Sequence, residues 1–361
     1  MKIAPRRGLR ALGTMVMLAG LLAACATAGS APGGPPPSGA PAAQEPTVSA
    51  GGAAPTATAT PGARAEAVRI GYASRSVSFL AMLLAHDQGY YREQGLDAEV
   101  IQIRPNVGMT ALLSGEVDYT ETLGSNVRAA AQGAPVKTVL VSMLAPPFAL
   151  VARPEVATPA QLHGKVLGIT SLGATNEQVT RLVLQHFGLE AQRDVQLIAV
   201  GDAPVQYEAL RLGQIDAAMV AMPYPALARQ EGYQVLANAP DVVHLPQTGV
   251  GVLQSKLDGQ REQVRRVVQA EIQALHFIRT QPQATAQVIA ELFEIDPAVG
   301  EQVYALMAPV FSADGTVERE PIELLIEQAR EAADVAASVP FEQVADTTVV
   351  PEALSELGPS R

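Results

Sequence analysis

The chain has 361 residues, a single cysteine and a formal net charge of −11 at pH 7. So acidic a chain repels the phosphate backbone of nucleic acids, which argues against a nucleic-acid partner. One cysteine leaves no intrachain disulfide and no basis for a cysteine-based metal site.

The N-terminus has the regions of a secretory signal. Basic residues within the first ten precede an apolar run over residues 11–24 that is too short to span a bilayer. The sequence LAAC at residues 22–25 looks like a bacterial lipobox, which implies cleavage before Cys25 and diacylglyceryl attachment to its thiol. We therefore expect a signal peptide over residues 1–24 and a lipid anchor at Cys25, exported by either the Sec or the twin-arginine route.

The segment after the cysteine has almost nothing to bury. Residues 26–66 are nearly all Ala, Pro, Gly, Ser or Thr, so folding would not repay the cost of ordering the backbone. We expect a disordered linker, including the lipidated cysteine, over residues 25–66. Beyond it no apolar run approaches the roughly 20 residues that a membrane helix needs, and the apolar content suffices for two modest cores.

From residue 67 onward, short β-rich runs alternate with helical patterns, which is typical of an α/β fold with a largely parallel sheet. The region around residues 260–336 reads as helical, and the tail over residues 341–361 shows no period and is predicted to be irregular. Strands are predicted at residues 68–73, 97–103, 165–170, 194–200 and 216–221, and helices at residues 79–95 and 176–188.

Two segments repeat the same pattern at an offset of 98 residues. ALLSGEVDY at residues 111–119 and ALRLGQIDA at residues 209–217 share Ala, Leu, Gly, a β-branched residue and Asp at equal spacings. In each, a helix ends at the glycine and a buried strand follows. Chance similarity between α/β units is the alternative; otherwise the chain holds two similar lobes. Asp118 and Asp216 are expected to bond loop backbone rather than a ligand.

The residues resemble a known family. The stretches GYYREQGLDAEV, LLSGEVDYTETLGSN, LHGKVLGITSLGAT and LRLGQIDAAMVAMPYPALARQEG are similar to those of NMT1/THI5-like, or SsuA-like, substrate-binding proteins of ABC importers, over most of residues 67–310. The resemblance implies a type II periplasmic-binding-protein fold with two α/β lobes and a cleft between them. Lobe 1 would comprise residues 67–150 plus 246–340, and lobe 2 residues 151–245.

The resemblance also implies a function. The protein would capture a small organic anion or zwitterion, of the sulfonate, taurine or nitrate type, and deliver it to an ABC permease and its ATPase. We expect a monomer without a cofactor, held by its lipid at the outer face of the cell membrane or in the periplasm. No metal is expected, because the five histidines include no pair at helical spacing.

Three hydroxyl-rich loops each follow a strand and precede a helix, at residues 74–78, 120–126 and 171–175. In open α/β sheets ligands bind beyond the carboxyl ends of strands, where helix N-termini offer backbone N–H groups. The resemblance places ligand contacts in the same loops, at Ser74, Ser76, Ser78, Thr122, Ser125, Gly173, Ala174 and Thr175.

Some of these residues have an alternative role. Ser78, Ser125 and Thr175 could instead be helix N-caps, which Ser and Thr favour. Met222 and Tyr224 could form a wall of the cleft, or belong to a turn with their neighbouring prolines.

Two charged candidates point to different ligands. Arg75 would suit an oxoanion, which arginine binds bidentately, although it could equally face solvent. Glu121 would favour an amine, as in taurine or an aminopyrimidine precursor of thiamin. The chain has no tryptophan and few other aromatic residues, which weakens the case for stacking a pyrimidine.

Other functions remain as alternatives. A tethered sensor lobe would share the fold without delivering solute. Some THI5-like proteins are enzymes, but that activity is associated with a cysteine-rich motif and a histidine, and this chain has no cysteine beyond Cys25. Nucleophile-elbow, zinc and Walker motifs are also missing from the sequence, so we do not expect an enzyme.

Overall fold

The structure, a computed structural model, describes residues 65–332 and 338–358. The predicted signal peptide, the predicted lipidation site at Cys25 and the linker up to residue 64 lie outside the described residues. The first strand begins at Glu66, the last residue of the predicted linker. Within the described ranges no helix is both long and apolar enough to cross a membrane.

The described strands form two five-stranded sheets. Their order is β2-β1-β3-β10-β4 in the first sheet and β7-β6-β8-β5-β9 in the second. The neighbours of β1 and β6 are parallel, whereas β10 and β5 are antiparallel to both of their neighbours. The strands are β1 (Glu66–Tyr72), β2 (Leu96–Gln102), β3 (Tyr119–Thr120), β4 (Val136–Thr138), β5 (Phe148–Ala152), β6 (Val166–Ile169), β7 (Gln196–Ala199), β8 (Ala217–Ala221), β9 (Gln234–Asn238) and β10 (Gly251–Leu253).

Helices pack on the sheets, which confirms the predicted α/β fold class. The described helices are α1 (Leu80–Asp87), α2 (Tyr90–Glu93), α3 (Pro105–Ser114), α4 (Leu123–Ala131), α5 (Thr175–His186), α6 (Ala203–Arg211), α7 (Tyr224–Gln230), α8 (Gln254–Gly259), α9 (Arg261–Thr280), α10 (Pro282–Phe293), α11 (Pro297–Met307), α12 (Arg319–Ala332), α13 (Phe341–Val344) and α14 (Val349–Leu357).

Each sheet has its own hydrophobic core. Every residue of β5 and of β8 is buried, as expected for central strands covered on both faces, and these strands anchor the core of the second sheet. The first sheet packs mainly against α1 and α9. The sequence therefore buries its apolar residues around two centres, as its apolar content predicts.

Two chain segments cross between the sheets side by side. The first leaves β4 toward β5, and the second returns from β9 to β10. They hydrogen bond to each other, because the Val139 N–H donates to the Val250 carbonyl at 2.9 Å and the Ser142 N–H donates to the Thr248 carbonyl at 2.9 Å. The crossing segments thus form one paired connection.

The two copies of the internal repeat make equivalent hydrogen bonds in the structure. Asp118 Oδ2 accepts a hydrogen bond from the Arg69 N–H of β1 at 2.8 Å, and Asp216 Oδ2 accepts one from the Val166 N–H of β6 at 2.9 Å. Each aspartate precedes a strand that runs parallel to the one it bonds. Both therefore bond backbone as predicted, although the partner N–H lies in a strand and not in a loop.

Two predicted elements need correction. The helix predicted over residues 79–95 is interrupted at Gly89, whose φ of 82° is left-handed, so α1 and α2 are separate. The predicted irregular tail contains α13 and α14, and α14 packs against α9. The apolar face of α14 is formed by Val349, Val350 and Ala353, and a face this short and rich in valine gives no clear helical period.

Candidate functional site

A cavity lies between the two sheets, at the carboxyl ends of their parallel strands. Ala73 follows β1, Glu121 follows β3, Thr170 follows β6 and Ala221 ends β8, and all four line the cavity. This is where α/β sheets ordinarily bind ligands.

The three predicted loops converge on this cavity. Each contributes lining residues, so the cavity wall contains hydroxyls from both lobes together with one carboxyl group. The predicted residues that line it are Ser74, Ser78, Glu121, Thr122, Ser125, Ala174 and Thr175.

Three helices begin at the cavity wall. Thr122 immediately precedes α4, Thr175 is the first residue of α5 and Ala203 is the first of α6. None of the three has a side-chain hydrogen bond at its N-cap. Uncapped N-termini carry unpaired N–H groups and partial positive charge, which favour an anion.

The N-cap alternative for Ser78, Ser125 and Thr175 is wrong. Ser78 lies inside a short 3₁₀ turn that leads into α1, and Ser125 and Thr175 lie inside α4 and α5. None of the three occupies the residue before its helix. Ser78 Oγ has no hydrogen-bond partner among the described residues, whereas Ser125 Oγ accepts a hydrogen bond from Arg128 at 3.2 Å.

Arg75 does not line the cavity. Its Nε donates to the carbonyl of Leu292 at 3.1 Å, in the last turn of α10. A helix C-terminus attracts a guanidinium because its carbonyls are unpaired and its dipole is negative there. Among the described lining residues there is consequently no Arg, Lys or His.

Ser76 and Gly173 shape the loops from outside the cavity lining. Ser76 is fully buried, and its Oγ accepts a hydrogen bond from Ser74 Oγ at 3.4 Å. Gly173 has a φ of 77°, and its N–H donates to Glu177 Oε2 at 2.7 Å. Both support neighbours that do line the cavity.

Met222 and Tyr224 lie beside the cavity rather than in its wall. The Met222 carbonyl accepts a hydrogen bond from the Val77 N–H at 3.0 Å, and the Met222 side chain belongs to the core of the first sheet. The ring of Tyr224 packs against Tyr207 with centroids 5.6 Å apart. Met222 thus joins the lobes, which the proline-rich sequence around it does not indicate.

Sequence reasoning missed the amides of the second lobe. Asn176 links two strands, since its Oδ1 accepts from the Thr170 N–H at 2.9 Å and its Nδ2 donates to the Met219 carbonyl at 2.8 Å. Gln206 donates to Thr170 Oγ1 at 3.1 Å and to the Gly201 carbonyl at 2.9 Å. Its buried Oε1 receives no hydrogen bond from the described residues, and remains available to a ligand.

The apolar part of the wall was also not predicted. Phe79 and Phe148 line the cavity together with Met219. In the sequence these side chains are indistinguishable from core residues, because nothing in an apolar run says which member faces a cavity.

Glu121 is the only titratable side chain among the described lining residues. It is 1% exposed, and its carboxyl lies next to that of Glu271 on α9. Tyr91 donates to Glu271 Oε1 at 3.1 Å. Burial, followed by the charge of Glu271, raises the pKa of Glu121 well above its usual range, and burial raises the pKa of Glu271 to about 7.

The two lobes touch around the cavity. Arg128 of α4 donates to the carbonyl of Gly173 at 2.5 Å and to Gln178 Oε1 at 3.4 Å. Gly124 lies so close to Thr175 that a Cβ at this glycine would be 2.6 Å from Thr175 Oγ1. The lobes are therefore closed over the cavity in this structure.

The comparisons with known proteins identify the family. The family model described as NMT1/THI5 like matches residues 76–285, more than half of the chain. The chain belongs to the NMT1/THI5-like family. No curated protein matches its sequence.

Solved structures share the fold of this NMT1/THI5-like protein. The periplasmic nitrate-binding protein NrtA from Synechocystis PCC 6803 is 14% identical with a TM-score of 0.69, and the alignment covers 81% of this chain and 89% of that chain. The alkanesulfonate-binding protein SsuA from Xanthomonas axonopodis pv. citri, bound to MOPS, is 20% identical with a TM-score of 0.62, covering 81% and 99%. These neighbours confirm the periplasmic-binding-protein fold.

A third solved structure with this fold holds a sulfinic acid. A mutant of DszB in complex with biphenyl-2-sulfinic acid is 14% identical to the NMT1/THI5-like chain with a TM-score of 0.58, and the alignment covers 81% of this chain and 99% of that chain. Most of the neighbours are binding proteins. Fold likeness alone nevertheless does not separate binding from catalysis, because one fold can host unrelated functions.

Proposed function

We propose that the protein is an extracytoplasmic solute-binding protein that captures a small organic anion or zwitterion and delivers it to an ABC import permease and its ATPase. The observation that carries the proposal is the convergence of three helix N-termini and hydroxyls from both lobes on one cavity. Such a wall solvates oxoanion oxygens without a cationic side chain. The sulfonate and nitrate ligands named for the structural neighbours support the same chemistry.

We propose binding rather than catalysis for this cavity. Among its described lining residues no histidine, lysine or cysteine accompanies the hydroxyls, and a nucleophilic hydroxyl needs an adjacent base. Among the described residues no hydroxyl hydrogen bonds to Glu121 Oε1, so this buried carboxyl is not paired with a nucleophile.

We propose a two-lobed receptor with residues 67–150 and 246–340 in lobe 1 and residues 151–245 in lobe 2, and the composition of the two sheets supports this division. Strands β1–β4 and β10 belong to one sheet, and β5–β9 to the other. The second lobe's first strand begins at Phe148, three residues before the proposed boundary. We propose that the receptor acts as a monomer, since one chain supplies both walls of the cavity.

A thermal-shift screen of the purified full chain tests the proposed function. The probes are ethanesulfonate, taurine, nitrate, bicarbonate and a hydroxymethyl aminopyrimidine. A probe at about a thousand times its Kd adds roughly 4 kcal/mol to the free energy of unfolding, which raises the Tm by several degrees. A shift with one class supports the proposal, and no shift with any probe contradicts it.

Membrane attachment through Cys25 is a separate part of the proposal. Cys25→Ala removes the thiol that would carry the diacylglyceryl group, so we expect the variant to leave the membrane fraction of a bacterial host while remaining folded. Ser30→Ala, which keeps the thiol, serves as the matched control. A Cys25→Ala variant that stays with the membranes would show that the anchor is not at this residue.

A further inference from the structure

The carboxyl groups of Glu121 and Glu271 form a buried pair at the wall of the cavity. Glu121 is 1% exposed and Glu271 is fully buried. The two carboxyl groups lie next to each other, and Glu121 Oε1 and Glu271 Oε2 receive no hydrogen bond from any donor among the described residues. Since a carboxylate has no proton to donate, a bond between these two groups requires a shared proton.

The position of that proton decides what Glu121 offers to the cavity. When the pair holds one proton, it lies between the two carboxyl groups, and Tyr91 already donates to the other oxygen of Glu271. The second oxygen of Glu121 then has no proton, whichever carboxyl formally carries the shared one. It is therefore a hydrogen-bond acceptor, and its natural partner is a donor on the ligand.

The charge of the pair favours a cationic donor. With one shared proton the pair is negative, and among the described lining residues there is no cation to balance it. Tyr91 from α2 is the titratable group that contacts the pair, and burial raises the pKa of its phenol, so it stays neutral. An unbalanced buried charge is costly, and a ligand ammonium would remove that cost.

The remaining wall favours the opposite charge. The N-termini of α4, α5 and α6 meet the same cavity without side-chain caps. A single small ligand satisfies both features if it carries an amino group at one end and an oxoanion at the other.

We propose that Glu121, held by Glu271, binds a ligand ammonium group, so that the cavity selects a small amino-substituted sulfonate or carboxylate over the same acid without the amine. The inference rests on the proposed function and narrows its ligand class. Glu121 contacts the ligand, and Glu271 is a positioning residue that shares the proton.

The test compares matched ligands on the purified full chain by titration calorimetry at pH 7. The pairs are taurine with ethanesulfonate and β-alanine with propionate, which differ only in the amine. A buried charged hydrogen bond corresponds to a difference of about tenfold or more in Kd, and we expect the amine member of at least one pair to bind tighter by that factor. Because the pKa of Glu271 is about 7, part of the protein carries a second proton on the pair at pH 7, and an ammonium disfavours that form. We therefore also expect proton release with the amine ligand, seen as a binding enthalpy that depends on the ionisation enthalpy of the buffer.

Two variants separate the roles of the carboxyl groups. Glu121→Gln removes the negative acceptor, so the two members of a pair should bind with similar Kd values. Glu271→Gln supplies an amide donor to Glu121 in place of the shared proton and removes the group that takes up the second proton, so the preference for the amine should remain while the proton release disappears. If Glu121→Gln fails to fold, the comparison of matched ligands on the wild type and on Glu271→Gln still tests whether the cavity selects the amine.

The inference and the proposed function fail in different ways. Ethanesulfonate and propionate binding as tightly as their amine partners would overturn the inference and leave the proposed function standing. Binding of none of the four acids would also overturn it. The proposed function itself fails only if nitrate, bicarbonate and the aminopyrimidine do not bind either.

Discussion

At the scale of single residues, the direction of each side chain decides whether it lines the cavity. The sequence predicts that direction for some residues and not for others. Ser78 and Thr175 were predicted as candidates because hydroxyls cluster in loops between a strand and a helix. The direction of Arg75 was not predictable, since its partner Leu292 is more than 200 residues away in sequence. Gln206 and Asn176 carry no local signal, because a polar residue in a helical segment ordinarily faces solvent.

The buried carboxyl pair predicts how stability depends on pH. The pKa of Glu271 rises from 4.5 to about 7 on folding, so its proton is bound more tightly in the native state. Its stabilising contribution is complete below pH 4.5 and is lost as the pH rises through about 7.

Glu271→Gln should therefore flatten the profile, because glutamine does not titrate. Urea unfolding at pH 5 and pH 8 measures the difference, and Glu121 contributes in the same direction. Glu99→Gln, at an exposed strand position, is the matched control and should leave the profile unchanged. A Glu271→Gln profile as steep as that of the wild type would contradict the assigned pKa.

At the scale of helices and strands, the sequence predicts an element correctly where its local pattern is long, and it does not where the pattern is short. The strands over residues 165–170 and 216–221 were predicted within two residues of their observed bounds. The helix over residues 79–95 was predicted as one piece, because both halves have helical patterns and only the conformation of Gly89 separates them. The short α14 is stabilised by packing on α9, a contact that the sequence of the tail does not contain.

Gly89 tests this account of the break between α1 and α2. Alanine there must adopt a left-handed φ, and its Cβ would lie 2.8 Å from Arg92 Nη2, so Gly89→Ala should lower the free energy of unfolding by about 1–2 kcal/mol. Gly108 lies inside α3, and a methyl group added there would have no atom within 4 Å, so Gly108→Ala should be neutral or stabilising by up to about 1 kcal/mol. Equal effects in thermal or urea unfolding would refute the explanation.

At the scale of the whole molecule, function depends on how the two lobes meet. Arg128 holds the carbonyl of Gly173 across the cleft, and Gly124 allows the first lobe to approach Thr175. The two-lobed architecture was predicted from the internal repeat and the family resemblance. The contacts that close it were not, because they join surfaces that are far apart in sequence.

Gly124→Ala tests the need for close approach. Its added methyl group would overlap Thr175 Oγ1, so the closed arrangement should be disfavoured while each lobe stays folded. We expect the Kd for whichever probe shifts the Tm to rise about tenfold, the equivalent of about 1.4 kcal/mol, with an almost unchanged Tm of the free protein. The double variant Gly124→Ala with Thr175→Ala removes the overlap and should recover part of the affinity if closure is the cause. An unchanged Kd in Gly124→Ala would show that closure does not need this contact.

The order of the strands has a consequence for how the chain acquires its structure as it leaves the ribosome or an export channel. The second sheet uses strands from one continuous stretch, residues 148–238, whereas β10 lies between β3 and β4 in the first sheet. The sheet of the first lobe therefore stays incomplete, with β4 unpaired, until residue 253 has emerged, although its N-terminal strands emerge first. We expect pulse-labelled hydrogen exchange during refolding to protect β6 and β8 before β3 and β4, so that the later half of the molecule is built before the earlier one; the reverse order would show that lobe 1 assembles without β10.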